Sequence, residues 1–155
     1  MTGVLVLAFL IGVIAGLRSL TAPAAVAWAA YERGILAHTS FRFMGTLAAA
    51  IIFTVLAVVE LVTDQLPSTP SRLAPPGLIA RIITGGLSGS CLAAAGAQSI
   101  ALGAVLGAVG GVVGAFAGYH ARKGLVQALK VRDLPIALLE DAIAIGGAIF
   151  IVSRF

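Results

Sequence analysis

Seven ionisable side chains lie within long apolar runs of this chain or at their ends. They are Arg18, Glu60, Asp64, Arg72, Arg81, Glu140 and Asp141. An ionisable group at bilayer depth costs ~2.5–3.5 kcal/mol on insertion scales, so it normally faces the protein interior and has a partner. Arginine keeps its charge and pairs with carboxylates through two nitrogens. The set therefore predicts either ion-pair staples between helices or a site that binds a substrate ion or a proton.

The composition identifies the solvent of this protein as lipid. Of the 155 residues, 60% are hydrophobic and 10% are charged, whereas a soluble domain carries about 25% charged residues. The net charge of +4 is typical of loops that face cytoplasm or anionic lipid headgroups. No basic patch alternates with stacking aromatic residues, which argues against nucleic acid as a partner. We expect one integral membrane domain, residues 1–155, with membrane lipids as partners.

The first apolar run predicts a broken helix. As one straight helix, residues 3–30 would be ~42 Å long, too long for a bilayer core of about 30 Å. Arg18, Ser19 and Thr21 interrupt the run just before Pro23. Thr21 is a candidate N-cap, and Pro23 near the first helical position would cost no hydrogen bond. The alternative is a single tilted, proline-kinked helix whose Arg18 side chain reaches the membrane surface.

The remaining apolar runs predict an all-α bundle of about five transmembrane helices. The later spans are expected at 44–62, 77–97, 100–119 and 135–152, with a short interfacial helix at 124–131. Five crossings place the N-terminus on the same side as the loops that follow the second and fourth spans. These loops are the more basic ones, so the positive-inside rule favours a cytoplasmic N-terminus in a multi-pass protein.

The fourth span carries rows of small residues. The glycines that we expect to pack against neighbouring helices are Gly103, Gly107, Gly111, Gly114 and Gly118. Such a glycine zipper lets helix backbones approach closely in lipid, where side-chain hydrophobicity gives no driving force. Tight packing is favoured over a role in permeation.

A weak internal similarity suggests an inverted repeat. The Ala15-Gly16 pair is echoed by Ala117-Gly118, and each pair is followed by basic residues and a short apolar stretch. The halves would be 1–66 and 99–155, with 77–97 as connector, and each half would carry two carboxylates. Interrupted segments at matching positions of such halves indicate a central transporter site.

Metal and enzyme chemistry fit the sequence less well. Glu60, Asp64, Glu140 and Asp141 could supply oxygen ligands to a hard cation, but three arginines lie near them in the predicted bundle. No His-x-x-x-His motif or cysteine pair is present, so neither a metal nor a cofactor is expected. No serine occurs in a known nucleophile motif, which argues against an enzyme.

Three motifs resemble those of one protein family. They are Gly16-Leu17-Arg18-Ser19-x-Thr21-Ala22-Pro23-Ala24, then Glu60-x-x-x-Asp64-x-Leu66-Pro67-x-x-Pro70-Ser71-Arg72-x-x-Pro75, then Arg81 with Gly85-x-x-x-Gly89. Together they resemble the bacterial family termed domain of unknown function 4126. The resemblance covers most of the chain and implies a small integral protein of the bacterial inner membrane. It implies no activity.

The residues favour a small transporter or channel-like protein. It would work as a homo-oligomer, because five short spans enclose little volume. The arginines favour a small anionic solute or headgroup, and the carboxylates favour proton coupling. The alternative is a structural or accessory membrane protein, or a lipid-binding scaffold, whose buried charges are staples. The predicted site consists of Arg18, Ser19, Thr21, Glu60, Asp64, Arg72, Arg81, Glu140 and Asp141.

Overall fold

The structure is a computed structural model that describes residues 2–66 and 71–155. Helices make up most of these residues. In those residues there are six α-helices, one 3₁₀ helix and no strand. They are α1 (Thr2–Leu17), α2 (Thr21–Arg33), the 3₁₀ helix (Arg42–Gly45), α3 (Leu47–Thr63), α4 (Pro75–Ala95), α5 (Ile100–Leu129) and α6 (Asp133–Val152). Helices α4, α5 and α6 are long and apolar enough to cross a membrane, while α1 and α3 are apolar but shorter. The prediction of an all-α fold is confirmed, and three of its helices are compatible with membrane spans.

The first apolar run is interrupted where the sequence predicts. Helix α1 ends at Leu17, and residues 18–20 form a turn before α2. The predicted cap is wrong, because Leu20 is the N-cap residue and its side chain makes no capping hydrogen bond. Thr21 is the first helical residue, and Pro23 lies two positions further on. The capping group of α2 therefore comes from elsewhere in the protein.

The two halves of this run form a helical hairpin, not a kinked helix. Helix α6 contacts both halves, so it shows their directions. It runs antiparallel to α1 and parallel to α2. Helices α1 and α2 are therefore antiparallel, with residues 18–20 at the tip. The contacts that fix these directions are Arg18 Nε to Asp141 Oδ1 at 2.6 Å, the Ile14 side chain beside Gly147, and Arg33 Nη1 to the Val152 carbonyl at 2.9 Å.

The helices alternate in direction along the chain. Trp28 of α2 donates to Thr54 of α3 at 2.8 Å, while the start of α2 contacts the end of α3, so these two helices are also antiparallel. The start of α1 lies beside the end of α4, where Val4 contacts Gly96. Both ends of the chain therefore lie at the end of the bundle opposite the hairpin tip. We call the end that holds the tip the charged end.

This alternation corrects the predicted grouping of loops. The sequence reading placed the N-terminus on the same side as the loops after the second and fourth spans. In the structure the ends of α3 and α5 and the starts of α4 and α6 lie at the charged end, and the start of α1 lies at the other end. The reason is that α2 runs back along the bundle, antiparallel to α1.

Glycines bring α1, α4 and α5 close together. A Cβ built at Gly107 of α5 would lie 2.9 Å from the carbonyl carbon of Gly85 and 3.1 Å from the Cα of Gly89, both in α4. A Cβ built at Gly16 of α1 would lie 2.5 Å from the carbonyl oxygen of Gly111. Real Cβ atoms do not approach other atoms this closely, so these positions require glycine. The three helices form the centre of the bundle.

Helix α5 runs unbroken to Leu129 and ends with Lys130 in the left-handed conformation, at φ 51°. The predicted separate interfacial helix at 124–131 is therefore wrong, because most of that segment continues α5. A break near Tyr119 would be needed to match the break near Arg18, and α5 has none there. The structure thus gives no support to the inverted repeat.

Candidate functional site

Arg18 lies at the hairpin tip and is completely buried. Its Nε donates to Asp141 of α6 at 2.6 Å, and its Nη1 pairs with Asp64 just after α3. A buried guanidinium without carboxylates would be strongly destabilising. The two acidic groups therefore fix the hairpin tip between α3 and α6.

The carboxylate of Glu60 caps α2. Its Oε1 accepts from both the backbone nitrogen and the hydroxyl of Ser19, and its Oε2 accepts from the backbone nitrogen of Leu20, all at 2.8 Å. The start of a helix attracts negative charge because its first N–H groups are unpaired and its dipole is positive there. The N-terminus of α2 is therefore occupied by a carboxylate of the protein itself.

Replacing Glu60 with glutamine tests this cap. We expect Glu60→Gln to lower the free energy of unfolding by about 1.5–3 kcal/mol, because hydrogen bonds to a charged acceptor are lost or weakened. Unfolding of the purified protein in mixed detergent micelles measures the change. The control is Glu32→Gln on the exposed end of α2, which should shift stability by no more than about 0.5 kcal/mol. Equal effects of the two substitutions would contradict the capping role.

Arg81 connects α4 to the end of α1. Its Nε donates to the carbonyl of Gly16 at 3.0 Å, its Nη1 donates to the carbonyl of Gly77 at 3.0 Å, and its Nη2 lies 3.9 Å from Glu60 Oε1. The Gly16 carbonyl belongs to the last turn of α1, which lacks intrahelical donors and carries partial negative charge. The buried Arg81 thus satisfies that helix end and contacts the acid that caps the next helix.

A second ion-pair group joins the loop before α4 to α5 and α6. Arg72 pairs with both oxygens of Glu140, with Nη2 to Oε2 at 3.0 Å. Arg122 of α5 donates from Nε to Asp133 Oδ1 at 2.8 Å, and its Nη1 lies 3.6 Å from Glu140 Oε2. Glu140 therefore lies between two guanidinium groups.

Gly118 makes room for this group. A Cβ at this position would lie 2.9 Å from Arg72 Nη1 and 3.1 Å from Glu140 Oε1. Sequence reasoning expected Gly118 to pack against a helix backbone. In the structure it instead lets an arginine–carboxylate pair lie directly on α5.

A cavity of about 650 Å³ opens between these elements at the charged end. Its volume falls within the range of about 300–1,000 Å³ that is typical of small-molecule sites. Four basic and three acidic side chains line it: Arg72, Arg81, Arg122, Lys123, Glu60, Asp64 and Asp133. Lys123 is exposed, and within the described ranges it takes part in no ion pair.

The structure brings most of the predicted site residues to this cavity but separates the others. The predicted residues that line it are Ser19, Glu60, Asp64, Arg72 and Arg81. Arg18, Asp141 and Glu140 do not line the cavity, although Glu140 pairs with Arg72 and Arg122, which do. Thr21 is buried and makes no capping hydrogen bond.

Three charged residues that line the cavity were not among the predicted site residues: Arg122, Lys123 and Asp133. The available signal was that Arg122 and Asp133 are opposite charges flanking a short connection between two helices. A continuous α5 places them face to face.

The carboxylates of the site are paired with arginines and are not arranged as ligands around a common point. In the part of the chain that the structure describes, no group of three or more histidine, cysteine, aspartate or glutamate side chains is arranged to hold a metal ion. The site chemistry is therefore that of guanidinium and carboxylate groups.

Comparisons with known proteins found no match to this chain among protein-family models, curated proteins or solved structures. The resemblance to domain of unknown function 4126 therefore stays a prediction.

Proposed function

We propose that this protein is a small multi-pass transporter that binds an anionic group in the cavity at its charged end and couples its movement to protons. The observation that carries this proposal is the pairing of cavity arginines with carboxylates of the same chain. Each such carboxylate occupies a position that an external anion could take. Loss of its charge on protonation would free the arginine for that anion.

Glu140 is the best candidate for this exchange. Its carboxylate lies between Arg72 and Arg122, both of which line the cavity. When Glu140 is ionised, the two guanidinium groups are satisfied. When it is protonated, they have a strong preference for another anion, and phosphate or carboxylate groups suit their geometry. Proton binding and anion binding at the same site then favour one another, which is the requirement for coupling.

The membrane placement that we propose has six passes in place of the predicted five. Alternating helix directions support it, although α1 and α2 measure only about 24 Å and 20 Å at 1.5 Å per residue. Of the arginines and lysines in loops and at helix ends, five lie at the charged end and three at the other, so the positive-inside rule places the charged end in the cytoplasm and both termini on the opposite side. The five are Arg72, Arg122, Lys123, Lys130 and Arg132, and the three are Arg33, Arg42 and Arg154. This reverses the predicted side of the N-terminus.

The inner membrane of a bacterium remains the proposed location, on the family resemblance alone. A homo-oligomer also remains part of the proposal. The cavity opens at the charged end, and glycine contacts close the centre of the bundle between α1, α4 and α5. A path to the other side would therefore need a surface shared with a second copy.

Flux measurements on Glu140→Gln test the function. Purified protein in liposomes would be given labelled phosphate, sulfate or acetate, with and without a proton gradient. We expect the wild-type protein to move at least one of these anions faster under the gradient, and Glu140→Gln to lose that acceleration by about tenfold or more. Glu32→Gln is the matched control and should behave like wild type.

A second candidate function is a structural or accessory role. It is favoured by Arg18, which is sealed against Asp64 and Asp141 with no access to the cavity. This alternative predicts no anion flux from the wild-type protein and cooperative unfolding that collapses when any of the paired charges is removed. Flux that is lost in Glu140→Gln while cooperative unfolding is retained would argue against it.

A further inference from the structure

The cavity adjoins an apolar groove on the lipid-facing surface of the bundle. The groove, of about 260 Å³, lies between α5 and α6. Leu125, Leu139 and Ile143 line it and are exposed. Arg122 lines both the cavity and the groove, and Glu140 lines the groove. The polar cavity and the apolar groove therefore meet at the guanidinium group of Arg122.

The depth of this junction matches the lipid headgroups. Residues 100–118 of α5 contain no charged side chain and span about 28 Å at 1.5 Å per residue. That length is close to the bilayer hydrocarbon thickness of about 30 Å. Arg122 lies one turn beyond it, where phosphates of the lipid headgroups are found. On α5 the groove is lined by Ala117 and Gly118 of the uncharged stretch and by Leu125 on the other side of Arg122.

The charges at the junction favour an anionic occupant. Arg72 and Arg122 both reach Glu140, and the nearby Lys123 has no acidic partner in the described residues. A basic residue at the membrane surface typically attracts acidic lipids. A freely soluble anion would use the cavity but would leave the apolar groove without an occupant.

We infer that the ligand of this site is an anionic phospholipid, whose phosphate binds in the cavity beside Arg122 and Lys123 and whose acyl chain lies in the groove between α5 and α6. The inference rests on the proposed function, because it names the substrate class of the same cavity. The lipid enters sideways from the membrane, so no aqueous route to the cavity is needed. Glu140 lines the groove beside Arg122, where the headgroup and the chain of such a lipid would join.

Lipid retention in native mass spectrometry tests this inference. Protein in detergent micelles would be offered phosphatidic acid, or phosphatidylcholine with the same acyl chains, and separately inorganic phosphate in a thermal-shift assay. We expect phosphatidic acid to be retained over phosphatidylcholine by roughly fivefold or more. Lys123→Gln should reduce that preference several-fold. Its control is Lys130→Gln, the same charge loss at a position that lines neither space, which should leave the preference unchanged.

Blocking the groove separates a lipid from a soluble anion. Ala121 lines the groove and is exposed, so Ala121→Phe fills the groove without disturbing the core. We expect it to lose retention of phosphatidic acid by about fivefold or more, and Val109→Phe on an exposed part of the same helix to retain it.

Each other outcome has a distinct meaning. If inorganic phosphate stabilises the protein and Ala121→Phe leaves phosphatidic acid retention unchanged, the lipid inference is wrong and an anion transporter remains. If the lipid is retained but no anion of the flux panel moves, the inference stands and the proposed transport of small anions fails. If phosphatidic acid is not retained and no anion of the flux panel moves, both are wrong.

Discussion

Replacing Arg18 with methionine is expected to lower the free energy of unfolding by about 3–5 kcal/mol, because it leaves buried Asp141 and half-buried Asp64 without their counter-charge. The arginine is 0% exposed and pairs with both acids. Methionine fills much of the same volume, so the main loss is the charge. Equilibrium unfolding in mixed micelles measures the effect, with Arg154→Met as control. Arg154 is exposed and stacks on Phe150 at 4.3 Å, so its loss should change stability by no more than about 1 kcal/mol.

A rescue experiment identifies the cause. If uncompensated charge is responsible, adding Asp64→Asn and Asp141→Asn to Arg18→Met should restore at least half of the lost stability, since neutral amides no longer need a cation. The three substitutions are in mutual contact, so their effects should be strongly non-additive. A triple variant no more stable than Arg18→Met would show that the loss came from the packing of the arginine stem. The stapling role of the ion pairs would then be wrong.

The interruption of the first apolar run could be predicted because it is a local feature. Three polar side chains close together, those of Arg18, Ser19 and Thr21, are costly in lipid. Pro23 lacks a backbone N–H group, so it favours the start of a new helix over the continuation of the first. The all-α class follows equally directly from the apolar composition, because lipid requires every backbone group to be paired within the protein. The pairing of arginines with carboxylates could also be predicted in outline. Buried arginines need acidic partners, and the chain has only six aspartates and glutamates.

The direction of α2 could not be predicted, because a kinked helix and a hairpin share the same apolar pattern. Their difference lies in which distant helix the second half contacts, and Arg33 meets Val152 more than a hundred residues later in the chain. The same holds for the cap: Glu60 is about forty residues from the nitrogens that it binds. No local rule connects a carboxylate near the end of one span to the start of an earlier helix.

The continuation of α5 was missed for a different reason. The basic residues after Tyr119 suggested that the span ends there, as charge normally marks the membrane boundary. Those residues are good helix formers, and no proline follows until Pro135, so the helix continues into the headgroup region. Hydropathy locates the boundary of the membrane but not the end of the helix. The contact between Arg122 and Asp133 depends on the continued helix, so it was not predicted.

Helices α1, α4 and α5 cross closely at Gly107. Its Cα would be 2.8 Å from a Cβ built at Gly12 of α1, and its own Cβ would lie 2.9 Å from the carbonyl carbon of Gly85 in α4. Three backbones therefore meet at one point, with only glycine hydrogens between them. Backbone atoms cannot move aside as a flexible side chain can, so any added carbon must separate whole helices.

We therefore expect Gly107→Ala to lower the free energy of unfolding by about 1–3 kcal/mol, the usual range for overpacking, and Gly107→Val to lower it further or to prevent folding. The control is Gly146→Ala on α6, where an added Cβ meets nothing within 4 Å. That change should be neutral or stabilising by up to about 1 kcal/mol, since alanine favours helix over glycine. Unfolding in mixed micelles compares the pair. If Gly107→Ala is tolerated as well as Gly146→Ala, then α1, α4 and α5 do not meet at this crossing, and the positions of the hairpin tip and of Arg81, which depend on it, must also be revised.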